Sequence, residues 1–284
     1  MKKKLQGNKI EELEKIAKRV RSMILAMAYY AGGAHIAPAF SIADIITVLY
    51  TEILNFSRKN VNSEERDRLI LSKGHACTVL YAILAEQGFI KKEILKKYCK
   101  IDGIIGGHPN IHELPGIEAT TGSLGHGFSI ACGVAFAGKL KKNKYKVYTI
   151  LGDGESQEGT IWEASMFAGN RKLDNLIAIV DSNKLQGMGK TNEINSLEPF
   201  AEKWRSFNWS VKEINGNSIS EILKALKNVP FTKNKPSVII ANTIKGKGVS
   251  FMEDKAIWHY RLPNNEEMKV ACKELNIEDI EKVL

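Results

Sequence analysis

The stretch from Gly152 to Leu185 constrains this chain more than any other. It opens on Gly152-Asp153-Gly154 and closes on Asp181-Ser182-Asn183-Lys184-Leu185. The residues before it, Lys146-Val147-Tyr148-Thr149-Ile150-Leu151, form a β-branched and aromatic run that reads as a buried strand. Past Gly154 the pattern turns helical, with Trp162, Ala164, Ser165, Phe167 and Ala168 at helical spacing. Glu155 and Glu158 fall in the expected first turn, where carboxylates suit the positive end of the helix dipole. Asn175 to Asp181 is then a second strand. In a strand–helix–strand unit the loops after both strands emerge at the same carboxyl edge of a parallel sheet, where α/β folds bind ligands.

That geometry suggests a chemistry. Gly152 and Gly154 let the backbone approach a phosphate closely, and the helix start offers free N–H groups to an anion. Asp153 and Asn183 are 30 residues apart yet belong on neighbouring loops, each presenting a hard oxygen. With the backbone carbonyl of Leu185 they would make part of an octahedral Mg2+ shell, completed by diphosphate oxygens and a water; Ca2+ or Mn2+ could stand in its place. The rival reading is a Rossmann-like turn with incidental glycines, against which the second strand and the matching Asn183 both weigh.

Gly-Asp-Gly, Glu158-Gly159, Trp162-Glu163-Ala164 and the later Asp-x-Asn together resemble the thiamine-diphosphate motif of transketolases. The resemblance extends in family order over roughly residues 10–262. Asp67-Arg68 through Ser72-Lys73-Gly74-His75 is close to the family signature Asp-Arg-x-x-x-Ser-x-Gly-His, and Gly107-His108-Pro109 is similar to a loop near its substrate channel. The segment Gly122-Ser123-Leu124-Gly125-His126-Gly127 resembles the turn whose backbone, around Gly122 and Leu124, meets the aminopyrimidine ring; Ser123 and His126 replace the usual Pro and Gln. Thr243-Ile244-Lys245-Gly246-Lys247-Gly248 and Trp258-His259 also match, although Tyr260 stands where Gly is usual. His35 matches the histidine of a Gly-His-Pro-Gly-Gly-type loop, but Ile36-Ala37-Pro38 departs from it, which puts the substrate preference in question.

The fold this implies is α/β: a thiamine-diphosphate-binding fold with a mostly parallel central sheet and helices on both faces. The resemblance further implies transfer of a two-carbon ketol unit from a ketose or ketose phosphate to an aldose or aldose phosphate, with thiamine diphosphate and Mg2+ as cofactors. His35, His75, His108 and His259 would line the channel and handle protons, as imidazoles suit near neutral pH. Cofactor contacts would come from His75, Gly122, Leu124, Gly152, Asp153, Gly154, Glu158, Asn183, Lys245 and His259, and metal ligands from Asp153, Asn183 and the Leu185 carbonyl. Glu158 and Glu163 match carboxylates of a network at the subunit interface.

Nothing after residue 262 could encode the second domain of a transketolase, which supplies the glutamate that activates thiamine. The expectation is therefore the N-terminal subunit of a split enzyme, active only with a C-terminal, pyrimidine-binding partner subunit, as an α2β2 assembly. Two other readings stay open: half of another thiamine enzyme, either a 2-oxoacid dehydrogenase α subunit or a deoxyxylulose-phosphate synthase-like protein, and a non-catalytic binding protein on the same fold.

The rest of the chain supports one domain over residues 1–284, long enough to bury a sizeable core, with 44% hydrophobic and 26% charged residues. Helices are expected over 8–31, 42–54, 76–87, 91–99, 128–142, 198–207 and 218–228, and strands over 66–71, 209–214 and 236–243. Residues 34–41 read as a loop, with Ser41 and Asp44 starting the helix after it. Residues 102–127 read as a glycine-rich loop holding His108, His112 and His126, in which no spacing supports a zinc site. Residues 265–284 read as a polar helical tail. Gly187-Met188-Gly189-Lys190-Thr191 looks like the end of a P-loop, but Lys184 stands where its earlier glycine is required. There is no membrane-length apolar run and no signal-peptide pattern. Four scattered cysteines read as buried thiols of a cytoplasmic protein. The net charge of +9 comes from lysines interspersed with carboxylates, which favours solvated faces and anionic substrates over nucleic acid.

Overall fold

The computed structural model describes the backbone from Lys2 to Leu284 and side chains from Gly7 onward. In chain order the elements are α1 (Lys2–Ala31), α2 (Ile36–Ser41), α3 (Ala43–Val48), β1 (Arg68–Leu71), α4 (Cys77–Glu86), α5 (His126–Leu140), β2 (Val147–Gly152) and α6 (Gly159–Asn170). They continue with β3 (Leu176–Ser182), α7 (Thr191–Ile194), α8 (Phe200–Ser206), β4 (Ser210–Asn215), α9 (Ile219–Leu226), β5 (Ser237–Asn242) and α10 (Asn265–Leu275). The strands make one sheet in the order β1-β2-β3-β5-β4, every neighbouring pair parallel.

Side-chain alternation along the strands divides the core into two layers. Leu69, Leu71, Tyr148, Ile150, Ile177, Ile179 and Ile239 face one layer, which α1, α3, α4, α9 and α10 cover. Ile70, Leu151, Ala178, Val180, Val238 and Ile240 face the other, packed by α5, α6 and α8. Strands buried on both faces are continuously apolar, and that is why β2 and β3 were readable as strands.

Several elements differ from the sequence reading. Residues 36–41 are helical, not looped. Pro38 falls in the first turn, where no backbone N–H is needed, and all six side chains are buried. Ser41 consequently caps nothing; its hydroxyl bonds Asp181 Oδ2 at 2.6 Å. The helix expected over 42–54 stops at Val48 and continues as a wider π turn, Leu49–Ile53. Residues 92–97 form 3-10 turns in which only Leu95 is buried, too little apolar surface to hold an α-helix. A 3-10 turn, Glu155–Gln157, delays α6 until Gly159 and leaves Glu158 as its N-cap residue. Of the cysteines, Cys77 and Cys132 are buried, whereas Cys99 is exposed and Cys272 half-buried. Helix α10 is no loose tail: Asn264 and Glu267 close a capping box at its start, and Met268, Ala271 and Leu275 are buried in the layer beneath α1. No described helix is long and apolar enough to cross a membrane.

Close packing of α5 on β1 sets the position of the glycine-rich segment. A Cβ on Gly127 would lie 2.6 Å from the Cα of Ser72, whereas one on Gly133, farther along the same helix, would meet nothing within 4 Å. Gly127→Ala should therefore lose about 1–3 kcal/mol in urea unfolding. Gly133→Ala should gain up to about 1 kcal/mol from helix propensity.

Candidate active site at the carboxyl edge of the sheet

Loops following β1, β2, β3 and β5 converge at one edge, around a cavity of about 260 Å³. It is lined by His35, Lys73, His75, Gly122, Leu124, Gly152, Asp153, Gly154, Asn183, Leu185, Lys245 and His259, among others. Every residue expected at the site is thus present except two. His108 is exposed outside the cavity, its ring centroid 6.3 Å from that of His35, and Glu158 is exposed at the start of α6.

The loop after β3 is built around Asp181, whose side chain is fully buried. Its Oδ2 accepts from Lys73 Nζ at 2.5 Å, Ser41 Oγ at 2.6 Å and Asn183 Nδ2 at 2.9 Å, while Thr243 Oγ1 donates to Oδ1. Because its amide nitrogen is held by Asp181, Asn183 must turn its oxygen the other way, where Leu185 N–H donates to it at 3.0 Å. The sequence reading assigned Asp181 no role beyond the Asp-x-Asn spacing, since its partners lie far away in the chain.

Glu155 performs a second tethering. One carboxylate oxygen accepts from Ser72 Oγ at 2.5 Å and Gly125 N–H at 2.9 Å, and the other from Gly152 N–H at 3.0 Å. The end of β1, the glycine-rich segment and the end of β2 are joined through this one buried side chain, a role quite different from the helix-dipole partner expected of it. Gly74 fits in the same seam: a Cβ there would stand 2.8 Å from the backbone of Thr121. Gly122 and Gly125 take φ of +155 and +83, angles that favour glycine.

The oxygens gathered at Asp153, Asn183 and Leu185 suit a hard divalent cation. Asp153 accepts from Gly154 N–H at 2.7 Å and Lys184 N–H at 2.6 Å. Burial, then the nearby Asp181 charge, pushes the Asp153 carboxyl up to about 6. A second positive charge would relieve that strain, and the protein already directs one there: Lys245 Nζ sits 3.2 Å from the Leu185 carbonyl. Burial, then Lys73, lowers the Lys245 ammonium to about 8.

The imidazoles line the outer part of the cavity. His35 lies 5.2 Å from His75 and 5.3 Å from His259, centroid to centroid. Burial, followed by neighbouring positive groups, lowers His35 to about 4 and His259 to about 3, and holds His75 well below the usual range. All three are neutral at pH 7. Lys245 Nζ stands 2.9 Å from His259 Nδ1. An ammonium only donates, so Nδ1 accepts and the ring proton of His259 is on Nε2. His259 is thus left with only its Nε2–H for a ligand, whereas neutral His35 and His75 each carry one donor and one acceptor.

Comparison with known proteins agrees with this geometry. The family described as "Transketolase, thiamine diphosphate binding domain" matches residues 13–282. An apulose-4-phosphate transketolase subunit of Phocaeicola vulgatus is 40% identical over 96% of this chain and 98% of its own length. The 6-deoxy-6-sulfo-D-fructose transketolase subunit SqwG of a Clostridium species is 43% identical over 94% of this chain and 97% of its own. Among solved structures, transketolase from Campylobacter jejuni superposes with a TM-score of 0.88 at 33% identity. This chain covers 43% of that one, so it spans about two fifths of the length of such transketolases.

Asp181→Asn removes the counter-charge of a buried ammonium. It should cost about 3–5 kcal/mol in denaturant unfolding. Asp181→Asn combined with Lys73→Met, which removes both charges, should recover part of that loss.

Proposed function

The chain belongs to the transketolase family, and from that premise we propose that it carries the diphosphate and Mg2+ half of a thiamine-diphosphate site in a two-chain transketolase. Its relatives of matching length are named as transketolase subunits, which supports a transferase that acts together with a second, pyrimidine-binding chain. The observation that carries the reading is the convergence of Asp153, Asn183, Leu185, Lys245 and three neutral imidazoles in one cavity.

In this reading Asp153, Asn183 and the Leu185 carbonyl hold Mg2+, the Gly152–Gly154 backbone receives the diphosphate, and Lys245 adds a positive charge beside it. Gly122 and Leu124 border the pyrimidine side. Thiamine diphosphate, when bound, supplies a nucleophilic carbon and an electron sink for cleaving and remaking a carbon–carbon bond. His35, His75 and His259 orient the carbonyl and hydroxyls of a ketose and then of an aldose, and pass protons to and from their oxygens. His108, at the rim, meets the sugar from outside.

Two features favour a partner. Asp153 is taken by the metal site and Glu155 by its own donors, so neither cavity carboxylate is free to protonate a ring nitrogen. Along the helices that start at the cavity edge, α5 exposes Ile130 (40%) and, at its far end, Leu140 (67%), and α6 exposes Met166 (55%) and Phe167 (36%), with Glu158 and Glu163 also exposed. We assign this face to the subunit interface of an α2β2 assembly. Four free thiols suit the reducing cytoplasm.

Calorimetric titration of thiamine diphosphate with Mg2+ should give tight binding when a transketolase C-terminal subunit is present and weak binding without it. Ketol transfer by this chain alone would overturn the two-chain reading. Mg2+ needs the Asp153 carboxylate, whose pKa is raised to about 6, so the affinity should be flat above that pH. It should then fall about tenfold per unit as the group protonates below it. Asp153→Asn should lose this pH dependence along with most of the affinity.

A further inference from the structure

The departure at Ile36-Ala37-Pro38 looked like the place where sugar preference is set, but the structure points elsewhere. Ile36 and Ala37 are fully buried, Ala37 O accepts from Gly246 N–H at 3.1 Å, and Pro38 O accepts from Lys73 Nζ at 3.0 Å. Ile36 and Ala37 are scaffold behind His35, and of the three only Pro38 reaches the cavity lining. What stands against His35 on the open side is Tyr260.

Tyr260 follows the short turn Ala256–His259 on extended backbone, and 63% of it is exposed. Its ring meets that of His35 edge-on, with centroids 4.7 Å apart and planes at 62°. The phenol oxygen sits 3.6 Å from where a Cβ on Gly33 would project, an ordinary contact distance, so the ring rests against the turn that follows α1. Among the described residues the hydroxyl has no hydrogen-bond partner, and the ring leans on His35, which lines the cavity. The neighbouring cation is already engaged: Arg261 bonds both carboxylate oxygens of Glu267, at 2.9 and 3.0 Å, and covers Trp258. The rim contributed by this segment is thus an aromatic wall with one free hydroxyl.

We propose that Tyr260 is a specificity-determining residue, selecting aldoses by the length of carbon chain that must pass between its ring and the histidines. The role rests on the ketol-transfer reading above. The wall narrows the entrance next to His35, and the hydroxyl bonds a sugar hydroxyl that a short acceptor can bring to it. A longer acceptor must displace the ring. One hydrogen bond from an exposed hydroxyl is worth about two- to tenfold in affinity.

The test uses this chain with its partner subunit, thiamine diphosphate and Mg2+, and compares kcat/KM for three-carbon and five-carbon aldoses, each with and without a terminal phosphate. Tyr260→Gly should shift the ratio about tenfold toward the five-carbon acceptors. Tyr260→Phe keeps the wall and should raise KM for the short acceptors several-fold, with kcat and the exclusion of long ones retained. Unchanged cofactor affinity and melting temperature in both variants would separate this from structural damage. A chain-length ratio within twofold of the wild type in Tyr260→Gly overturns the role of Tyr260 while leaving ketol transfer in place. No transfer by the wild-type pair removes the functional reading, and the role of Tyr260 with it.

Discussion

The Asp181 carboxylate, buried with Lys73 in the centre of the sheet edge, is the contact on which the rest of the site depends. Side chains 3% and 0% exposed hold opposite charges at 2.5 Å, a geometry that is tolerable only because hydroxyl and amide donors satisfy the remaining oxygen positions. Through those donors, the end of α2, the turn after β1 and the loops after β3 and β5 all refer to one point. The pair contributes little net stability by itself. Its effect is to fix which way Asn183 faces, and so which atoms remain for a ligand.

A division of charge follows from that arrangement. Lys73 is neutralised within the protein, whereas Lys245 and Asp153 face the cavity with their ionisation made costly by burial. The histidines alongside are kept uncharged by the same dryness. The site therefore has its charges at Asp153 and Lys245 and neutral hydrogen-bonding imidazoles beside them. Each group's role depends on its neighbours' state, which makes the cavity a coupled electrostatic unit.

The sequence made the local part of this legible. Gly152-Asp153-Gly154, the apolar strands around it and Asn183 all sit in one contiguous unit whose chemistry and spacing can be read along the chain. The resemblance added His35, Lys245 and His259, which lie far away in sequence. What stayed hidden were residues whose meaning comes from partners that only folding brings close. Glu155 looked like a helix-dipole carboxylate and is a tether between three segments; Ser41 looked like a cap and bonds Asp181. Helix α2 is hidden because a proline within only six residues makes a weak helix signal, overridden here by complete burial. His108 and Glu158 have the right chemistry but stand outside the cavity, a distinction of a few ångströms that no spacing rule carries.

Helix α10 has a bearing on the site although none of its residues lines the cavity. The segment that carries Lys245, His259 and Tyr260 leaves the sheet at β5, is pinned to the core on the way by Val249, Met252 and Trp258, and is anchored at its end by Met268, Ala271 and Leu275 of α10. Closing a loop removes most of the conformations a free strand of the same length would explore. The residual freedom of the His259 imidazole is thus set partly by apolar contacts outside the cavity. Loosening α10 from α1 would act on the site as an entropic change, with no atom of the cavity replaced.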